Sequence, residues 1–519
     1  MLKKSSYNRA LKNNNFKGKK ALDLTVFMTS SVVIGRLLSI PSSIIVAKIL
    51  NPVGFGVFAI IGLIIKYAGY FDFGALKCIA RNATIAMGEG NVSKANQIKD
   101  TIFTSMCITT IIPIIILWIL YALNISFDNV LSLPILIMIS LILISNKLIA
   151  FFKSSAIADG EFYKFAFIDL IDKVLTPISS ITLVLMYGLH GILLGMLFVN
   201  IIKLIYLHFF YKKKRTNFFF NLNKIINQLK TGVFLYSIGL FESFLFGIGV
   251  ILTKKFLMQD EVGIYAFASG IIMSKSIPFS GPINMLLSRK IFFDKGKDKK
   301  VKIEPSLLGK YFTIYLFFHS AAIGSIYLLF NYIVFYFLND YSQSLPIMLM
   351  IFTGYIIYIS QNFFKFLLDA SDKLGWILKN YILGLSFTLL LSIILFGYKN
   401  DIKSIAISCT IGLIIVALSM HQNIFYLFKM GRVKGFIFSL KVVLLSLLLT
   451  YSLFKISNYN LIQIENSMVL WKLILSNIIE CFFKIITYIF FNLLCYFVIY
   501  PKVNLINEVR LLLKMYYKK

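Results

Sequence analysis

The sequence predicts an all-α polytopic membrane protein with about 14 transmembrane helices. The chain contains roughly fourteen apolar segments of about twenty residues or more, the length that a helix needs to cross the hydrocarbon core. Its 519 residues are 58% hydrophobic and 14% charged, with a mean hydropathy of +0.82, which lies outside the usual range of soluble globular domains. Lys and Arg fall almost entirely in alternate loops, a pattern typical of a multi-pass protein.

The first apolar segment is too long for the hydrophobic region of a signal peptide, so we interpret it as the first span. The other spans follow at short intervals and end where loops carry polar and basic residues. Defined to within about four residues, the spans are 21–47, 54–76, 101–123, 131–152, 165–187, 189–210, 232–253, 262–287, 308–338, 345–368, 375–398, 402–428, 435–455 and 468–500.

The distribution of basic residues predicts the orientation. With the amino terminus in the cytoplasm, about 38 of the 53 Lys and Arg face the cytoplasm and about 6 face outward. We therefore expect a bacterial inner-membrane protein with both termini in the cytoplasm. The net charge of +31 does not indicate a nucleic-acid partner, because the basic residues are spread over many loops and do not form one surface.

An internal repeat divides the chain. The segment Lys48–Phe58 resembles Lys255–Tyr265 at an offset of about 207, and Phe151-Phe152-Lys153 resembles Phe363-Phe364-Lys365 at an offset of about 212. This predicts a cytoplasmic basic tail at 1–20, an N-lobe of six helices at 21–215, a C-lobe of six helices at 216–430, and two further helices with a cytoplasmic tail at 431–519. Two lobes around a central cleft indicate a transporter that works by alternating access.

Charged residues within the spans are the candidates for function, because each costs roughly 2.5 to 3.5 kcal/mol at the middle of a bilayer. Arg36, Lys66, Glu242 and Lys275 lie on repeat-equivalent helices, so we expect them to line the cleft. Three cations and one acid favour an anionic substrate such as a phosphate or pyrophosphate. The alternative is that lysines in the spans reach the interface or pair with acids for structure. The other charged residues in this group are Lys147, Asp169, Asp172, Lys173 and Lys203.

Prolines accompany the predicted cleft residues. Pro41 lies close to Arg36, and Pro278 and Pro282 lie close to Lys275, each among serines and glycines. Helices broken at corresponding places in two repeats indicate a substrate site and a gating kink. A packing kink beside small residues is the alternative interpretation.

The fifth predicted helix carries a possible coupling site. Asp169 and Asp172 share a face with Lys173, so they could bind a coupling proton or sodium ion or could form structural ion pairs. Scattered His and Cys residues give no metal site, and no nucleotide-binding loop is present. We therefore expect no enzyme activity and no cofactor, with energy from an ion gradient, the membrane potential or the substrate gradient.

Several short motifs carry a family resemblance. A polar first helix is followed by the turn Leu50-Asn-Pro-Val-Gly-Phe-Gly-Val-Phe58, by Phe71-Asp-Phe-Gly74 at the end of helix two, and by Ala80-Arg81. This pattern resembles the polysaccharide flippases of the MOP superfamily, of the lipid-linked oligosaccharide or O-antigen type. The resemblance implies a MATE-like two-lobe fold with 6+6 pseudo-symmetric repeats plus two C-terminal helices.

The same resemblance implies a function. Such flippases move polyprenyl-diphosphate-linked oligosaccharides from the cytoplasmic to the outer leaflet for surface polysaccharides such as lipopolysaccharide. In the related lipid II flippases, cations on helices one, two and eight line the cleft, which implies that role for Arg36, Lys66 and Lys275. The implied partners are the lipid-linked oligosaccharide, membrane lipids, a polysaccharide polymerase and glycosyltransferases.

Three other functions remain open at this point. A lipid II flippase would use the same fold, and an ion-coupled multidrug exporter is disfavoured by the positive charge of the predicted cleft. A structural scaffold for a glycan-synthesis complex would not depend on cleft residues at all.

Overall fold

The computed structural model describes residues 18–88, 91–123, 131–159, 161–210, 218, 222–275, 305–371, 373–459 and 470–499, and all regular structure there is helical. Eleven helices in this part of the chain are long and apolar enough to span a membrane, which confirms the predicted all-α multi-pass membrane protein. The count of fourteen spans stays a prediction. The long helices are α1 Gly18–Ala68, α2 Val92–Ala122, α3 Leu133–Asp159, α4 Phe162–Phe210, α5 Leu222–Phe256, α6 Gln259–Lys275, α7 Pro305–Phe337, α8 Ser344–Ala370, α9 Leu374–Tyr398, α10 Ile402–Leu427, α11 Arg432–Asn458 and α12 Leu470–Ile499.

Two of the long helices are interrupted where the sequence predicts a short loop between spans. Helix α1 has non-helical backbone angles at Asn51 (φ 50°, ψ 177°), directly before Pro52. Helix α4 has them at Gly188 (φ 54°, ψ −131°). Asn is among the few side chains that tolerate positive φ, proline disfavours helix in the residue before it, and glycine adopts such angles at no steric cost. Each long helix therefore consists of two segments.

The end of α1 is shaped by the Phe71-Asp-Phe-Gly motif. After Ala68 the chain forms a 3-10 turn over Gly69–Asp72. Phe73 and Gly74 then take left-handed angles (φ 48° and 79°), and the Asp72 carboxylate accepts a hydrogen bond of 3.2 Å from the Gly74 amide. The short helical pieces Ala75–Cys78, Ile79–Ala83 and Thr84–Gly88 follow. This motif therefore ends the helix by local backbone chemistry.

The chain forms two compact units. Of the described residues, unit 1 contains 18–50 and 57–240, and unit 2 contains 51–56 and 241–499. Contacts therefore place the first part of α5 with unit 1, and the predicted lobe boundary at 215/216, which rests on the repeat, stays a prediction. In unit 1 the short pieces after α1 pack with α2 and α3 around Ala83, Ala95, Met106 and Phe151.

Helix α8 is the centre of unit 2. Its membrane span is 76% buried, compared with 28% for those of α9 and α12, and it packs against α6, α7, α10 and α11. Glycines permit close helix crossings: a Cβ on Gly354 of α8 would lie 2.9 Å from Thr410 of α10, and one on Gly412 would lie 1.9 Å from Thr388 of α9. Small residues at such crossings are the usual means of tight packing in membranes.

The turn at 51–56 belongs to unit 2 because it packs on the start of α6. A Cβ on Gly263 would lie 1.8 Å from the Pro52 carbonyl oxygen, and one on Gly56 would lie 2.6 Å from the Gln259 carbonyl oxygen. Gly56 and Gly263 are the two glycines that the repeat pairs with each other. Both positions therefore require glycine for the backbones to touch.

Candidate functional site

The two aspartates of α4 are held by lysines. Lys153 of α3 forms an ion pair with Asp169 Oδ1, and Lys173, one turn along α4, has its Nζ 3.6 Å from Asp169 Oδ2. Lys203, in the second segment of α4, donates to Asp172 Oδ1 at 2.5 Å. Both carboxylates thus have lysine ammonium partners, as expected if they form structural ion pairs. The coupling-ion role of Asp169 and Asp172 stays a prediction.

A second ion pair lies at the end of α1. Lys147 of α3 is buried, has its Nζ 3.2 Å from Asp72 Oδ2, and donates to the Gly69 carbonyl. Tyr70, between these residues, donates to the Gly239 carbonyl at 2.9 Å. The turn after α1 is therefore tied to α3 and to the first part of α5, and Lys147 acts as a structural partner of the turn.

Unit 2 contains a polar cluster around Glu242 of α5. Its Oε2 accepts a hydrogen bond of 2.5 Å from Lys365 of α8, and its Oε1 accepts one of 2.7 Å from the Tyr358 hydroxyl. The Tyr381 hydroxyl of α9 lies 3.1 Å from that of Tyr358, and the Lys365 Nζ lies 5.3 Å from the centroid of the Tyr381 ring. Three helices thus meet at one neutralised carboxylate, whose side chain is 25% exposed.

A further buried pair lies on α12. Glu480 and Lys484 are spaced i, i+4, their charged atoms are 2.9 Å apart, and their side chains are 6% and 4% exposed. Lys484 also donates to the Ser457 carbonyl of α11 and lies 5.1 Å from the ring centroid of Tyr332 on α7. The pair therefore joins α7, α11 and α12 inside unit 2.

The structure describes the side chains of two of the four residues that were predicted to line the cleft. Lys66 is exposed near the end of α1, and Glu242 is in the cluster of unit 2. The side chains of Arg36 and Lys275 lie outside the described residues, although both residues are in helices. The predicted site formed by these four residues stays a prediction.

Three prolines were predicted to bend their helices, and the structure describes only Pro41 among them. Pro41 is exposed and lies in a helical stretch of α1, whose interruption falls ten residues later at Asn51. Pro278 and Pro282 lie outside the described residues. A gating role for the three prolines also stays a prediction.

Three residues that form ion pairs within the predicted spans were not among the candidates above: Lys365, Glu480 and Lys484. The repeat already paired Lys365 with Lys153, and both of these lysines turn out to bind a carboxylate of another helix segment. The i, i+4 spacing of Glu480 and Lys484 was also visible in the sequence. Repeat-equivalent position and helical spacing were therefore the signals that could have found them.

Residues 45–289 match a sequence-family model described as "Polysaccharide biosynthesis protein". This segment covers the second part of α1 through the described end of α6. No curated protein matches the chain by sequence.

Solved structures resemble nearly the whole chain. The lipid II flippase MurJ in an inward closed conformation matches with a TM-score of 0.61 and 16% identity, over 89% of this chain and 98% of that one. An inward-facing multidrug resistance MATE family transporter of the MOP superfamily matches with a TM-score of 0.53 and 13% identity, over 82% and 99%. This chain has the fold of the MOP superfamily. The MATE multidrug transporter DinF-BH shows the same fold, with a TM-score of 0.56 and 16% identity, over 80% and 96%.

The predicted resemblance to the MOP superfamily is therefore confirmed, together with the MATE-like fold. The family description concerns polysaccharide biosynthesis, and the three structures are of transporters and a flippase. At these identities the structures establish the fold of this chain and leave its substrate to be argued from its own residues.

Proposed function

We propose that this chain is a flippase that translocates polyprenyl-diphosphate-linked oligosaccharides from the cytoplasmic to the outer leaflet for surface polysaccharide synthesis. The observation that carries the proposal is the match of residues 45–289 to a polysaccharide biosynthesis family within a chain of MOP-superfamily fold. A transporter fold supplies movement across the membrane, and the family description supplies the class of cargo.

The ion pairs of the membrane helices support an anionic cargo. Among the described residues, five carboxylates within the predicted spans have lysine partners, so their charge is not available to attract a cationic substrate. An exporter of organic cations needs an acid that can bind the cargo. A diphosphate needs the opposite, which is ammonium or guanidinium groups in a water-filled region of low dielectric.

A lipid II flippase is the second candidate. The TM-score to the lipid II flippase MurJ is 0.61, compared with 0.53 and 0.56 for the two drug transporters. Its cargo would carry the same polyprenyl diphosphate and differ in the sugar portion. The ion-coupled multidrug exporter is the third candidate.

The finer features of the proposal come from the distribution of basic residues and from the family resemblance. The chain would lie in a bacterial cytoplasmic membrane with both termini inside and work beside a polysaccharide polymerase and glycosyltransferases. Its energy would come from an ion gradient, with a proton or sodium ion as the coupling ion, from the membrane potential or from the substrate gradient. Arg36, Lys66 and Lys275 would hold the diphosphate while the lobes rock about it.

The test is to measure lipid-linked intermediates by mass spectrometry in cells that lack the gene. Inverted and right-side-out vesicles from the same cells then show the leaflet in which each intermediate resides. We expect one polyprenyl-diphosphate oligosaccharide to accumulate in the cytoplasmic leaflet, and we expect the wild-type gene to restore its transfer. Arg36→Ala, Lys66→Ala and Lys275→Ala should each impair this rescue, and full activity of all three would contradict their proposed roles.

A second arm separates the alternatives. Expression of the chain in cells depleted of their lipid II flippase tests the lipid II function directly, since only a lipid II flippase restores growth. An unchanged lipid pool together with altered drug sensitivity would favour the exporter.

A further inference from the structure

The turn between α10 and α11 concentrates basic residues without any acid. Lys429, Arg432 and Lys434 fall within six residues and are exposed, and the sequence has no Asp or Glu between Asp401 and Glu465. Within the part of the chain that the structure describes, none of these three cations takes part in an ion pair. We call Lys429, Arg432 and Lys434 the basic turn, and its positive charge is not neutralised by a described carboxylate.

The backbone holds the basic turn in one conformation. Lys429 and Gly431 both take left-handed angles, with φ of 54° and 87°, and the Lys429 amide donates to the Tyr426 carbonyl at 3.0 Å. Gly435, in the first turn of α11, is buried, and a Cβ placed on it would lie 3.0 Å from Phe425 Cβ. Helix α11 therefore begins directly against the end of α10, and the three cations are presented side by side.

Two aromatic rings lie beside the basic turn, at the beginning of α9 and the end of α10. The ring centroids of Trp376 and Tyr426 are 5.9 Å apart, and the Nζ of the exposed Lys373 is 5.4 Å from the centroid of the Trp376 ring. Trp376 is the third residue of its membrane span, and Tyr426 is the second from the end of its own. Trp and Tyr at span ends occupy the level of the lipid headgroups. The edge of the hydrocarbon core therefore runs close to this aromatic pair.

Exposed apolar side chains alternate with the cations at the start of α11. Val433 and Phe436 are 71% and 63% exposed, and both lie inside the span that begins at Arg432. Apolar side chains at this depth contact acyl chains, while the long stems of Lys and Arg carry their charged groups up to the headgroups. The surface thus offers the contacts that a phospholipid requires, with cations at phosphate level and apolar side chains below them.

The charge of this surface decides which phospholipid fits it. Lys373 and the basic turn supply four cations, and the acids nearest to Lys373 in the sequence are Asp369 and Asp372, so the positive charge is in excess. A zwitterionic headgroup carries its own cation, which such a surface repels, whereas an anionic headgroup is attracted. Each basic residue near an anionic surface strengthens binding by about fivefold.

We propose that the basic turn, together with Lys373 and Trp376, is a binding site for the headgroup of an anionic phospholipid such as phosphatidylglycerol. The distribution of basic residues predicts that this end of the helices faces the cytoplasmic leaflet. The inference goes beyond the proposed flippase function, because the bound lipid is a component of the membrane and not the cargo. A headgroup in this site bridges the beginning of α9 and the α10–α11 turn.

The experiment uses Trp376 as a reporter inside the site. The sequence has three tryptophans, so Trp118→Phe/Trp471→Phe leaves Trp376 alone in the full-length protein. This protein is reconstituted into vesicles of phosphatidylcholine and phosphatidylglycerol in which one or the other lipid has brominated acyl chains, which quench a tryptophan that they contact. We expect brominated phosphatidylglycerol to quench Trp376 at a mole fraction about fivefold lower than brominated phosphatidylcholine requires.

Two controls show whether the preference belongs to this site. Lys429→Gln/Arg432→Gln/Lys434→Gln should bring the ratio of the two mole fractions to about one, whereas Lys399→Gln/Lys403→Gln should leave it unchanged. Lys399 and Lys403 are exposed at the opposite ends of α9 and α10, where Asp401 lies between them. A protein that keeps only Trp118 should show no preference, because the sequence has no Lys or Arg between residues 108 and 128.

Equal quenching of Trp376 by the two brominated lipids would overturn the proposal and leave the basic turn as a topology anchor only. A preference that persists in the triple variant, or that Lys399→Gln/Lys403→Gln abolishes equally, would also overturn it. If the triple variant fails to fold, the protein with unchanged lysines still decides. Raising the salt from 0.05 to 0.5 M shortens the screening length from about 14 to about 4 Å, so the preference should fall at least twofold, and a preference insensitive to salt would refute a site built on exposed charges.

Discussion

Removing one partner of the Glu242–Lys365 pair should destabilise unit 2 more than removing both. Each single variant, Glu242→Leu or Lys365→Met, leaves a charge among α5, α8 and α9 without its counter-ion. Loss of one partner from a buried pair costs about 3 to 5 kcal/mol, whereas replacement of both by apolar residues is often close to neutral. Because both side chains are 25% exposed, we expect the lower end, about 3 kcal/mol.

The geometry supports a coupling of that size. The pair is linked at 2.5 Å, and the Tyr358 hydroxyl donates a second hydrogen bond to the same carboxylate at 2.7 Å. Tyr358→Phe keeps the ion pair and removes that second bond, together with the 3.1 Å contact to the Tyr381 hydroxyl, so it should cost less, about 1.5 to 3 kcal/mol.

The assay is thermal unfolding of the detergent-purified protein, with a full double-mutant cycle. The two single variants should each lower the unfolding temperature strongly, and Glu242→Leu/Lys365→Met should recover part of the loss. Lys399→Met removes an exposed lysine between α9 and α10 and should change stability by no more than about 0.5 kcal/mol. Additive effects, within about 0.5 kcal/mol, would refute the reasoning, because they would mean that the two charges do not stabilise each other.

Three further predictions concern backbone contacts and the last helix, and each is checked by the same unfolding measurement. Gly263→Ala should cost about 1 to 3 kcal/mol, since its Cβ would lie 1.8 Å from the Pro52 carbonyl oxygen. The control is Gly270→Ala on the same helix, which should be tolerated because an added Cβ there has no neighbour within 4 Å. Equal losses of stability in the two variants would contradict the contact. Lys484→Met should cost about 3 to 5 kcal/mol, because it leaves Glu480 buried and unpaired. Adding Glu480→Met should restore much of this loss. An unchanged unfolding temperature in Lys484→Met would argue against the pair. Gly188→Ala should cost about 1 to 3 kcal/mol, because alanine is strained at the positive φ of this residue. No neighbour would contact the added methyl group, so the strain is the only cost. A stabilised variant would show that this backbone conformation is not strained for alanine.

Much of the fold was predictable because it depends on local properties of the chain. Apolar length and charge asymmetry predict the membrane helices without reference to any neighbour. The interruption at Asn51-Pro52 and the positive φ of Gly74 likewise follow from residues that favour or tolerate positive φ or disfavour helix beside them, whereas the positive φ of Phe73 does not follow from its residue type. The motif at 50–58 also carried the family resemblance, which the fold confirms.

The candidate site was less predictable. Glu242 was selected as a cleft residue, but its partner Lys365 lies 123 positions away and was noticed only as part of a repeat. Asp169 and Asp172 were considered as binding sites for a coupling ion, and the structure places the lysines of two other helix segments on them. Glu480 and Lys484 could have been found from their spacing alone.

The sequence by itself determined that this protein has many membrane-spanning helices, where two of its long helices are interrupted, and that its spans contain costly charges. These properties depend on solvation and on local backbone angles, which each segment expresses independently. Only the tertiary structure decided which lysine neutralises which acid, and which of these pairs are buried. An ion pair depends on distances between helices, and those distances are set by small residues such as Gly35 and Gly412, whose role appears only when the helices pack together.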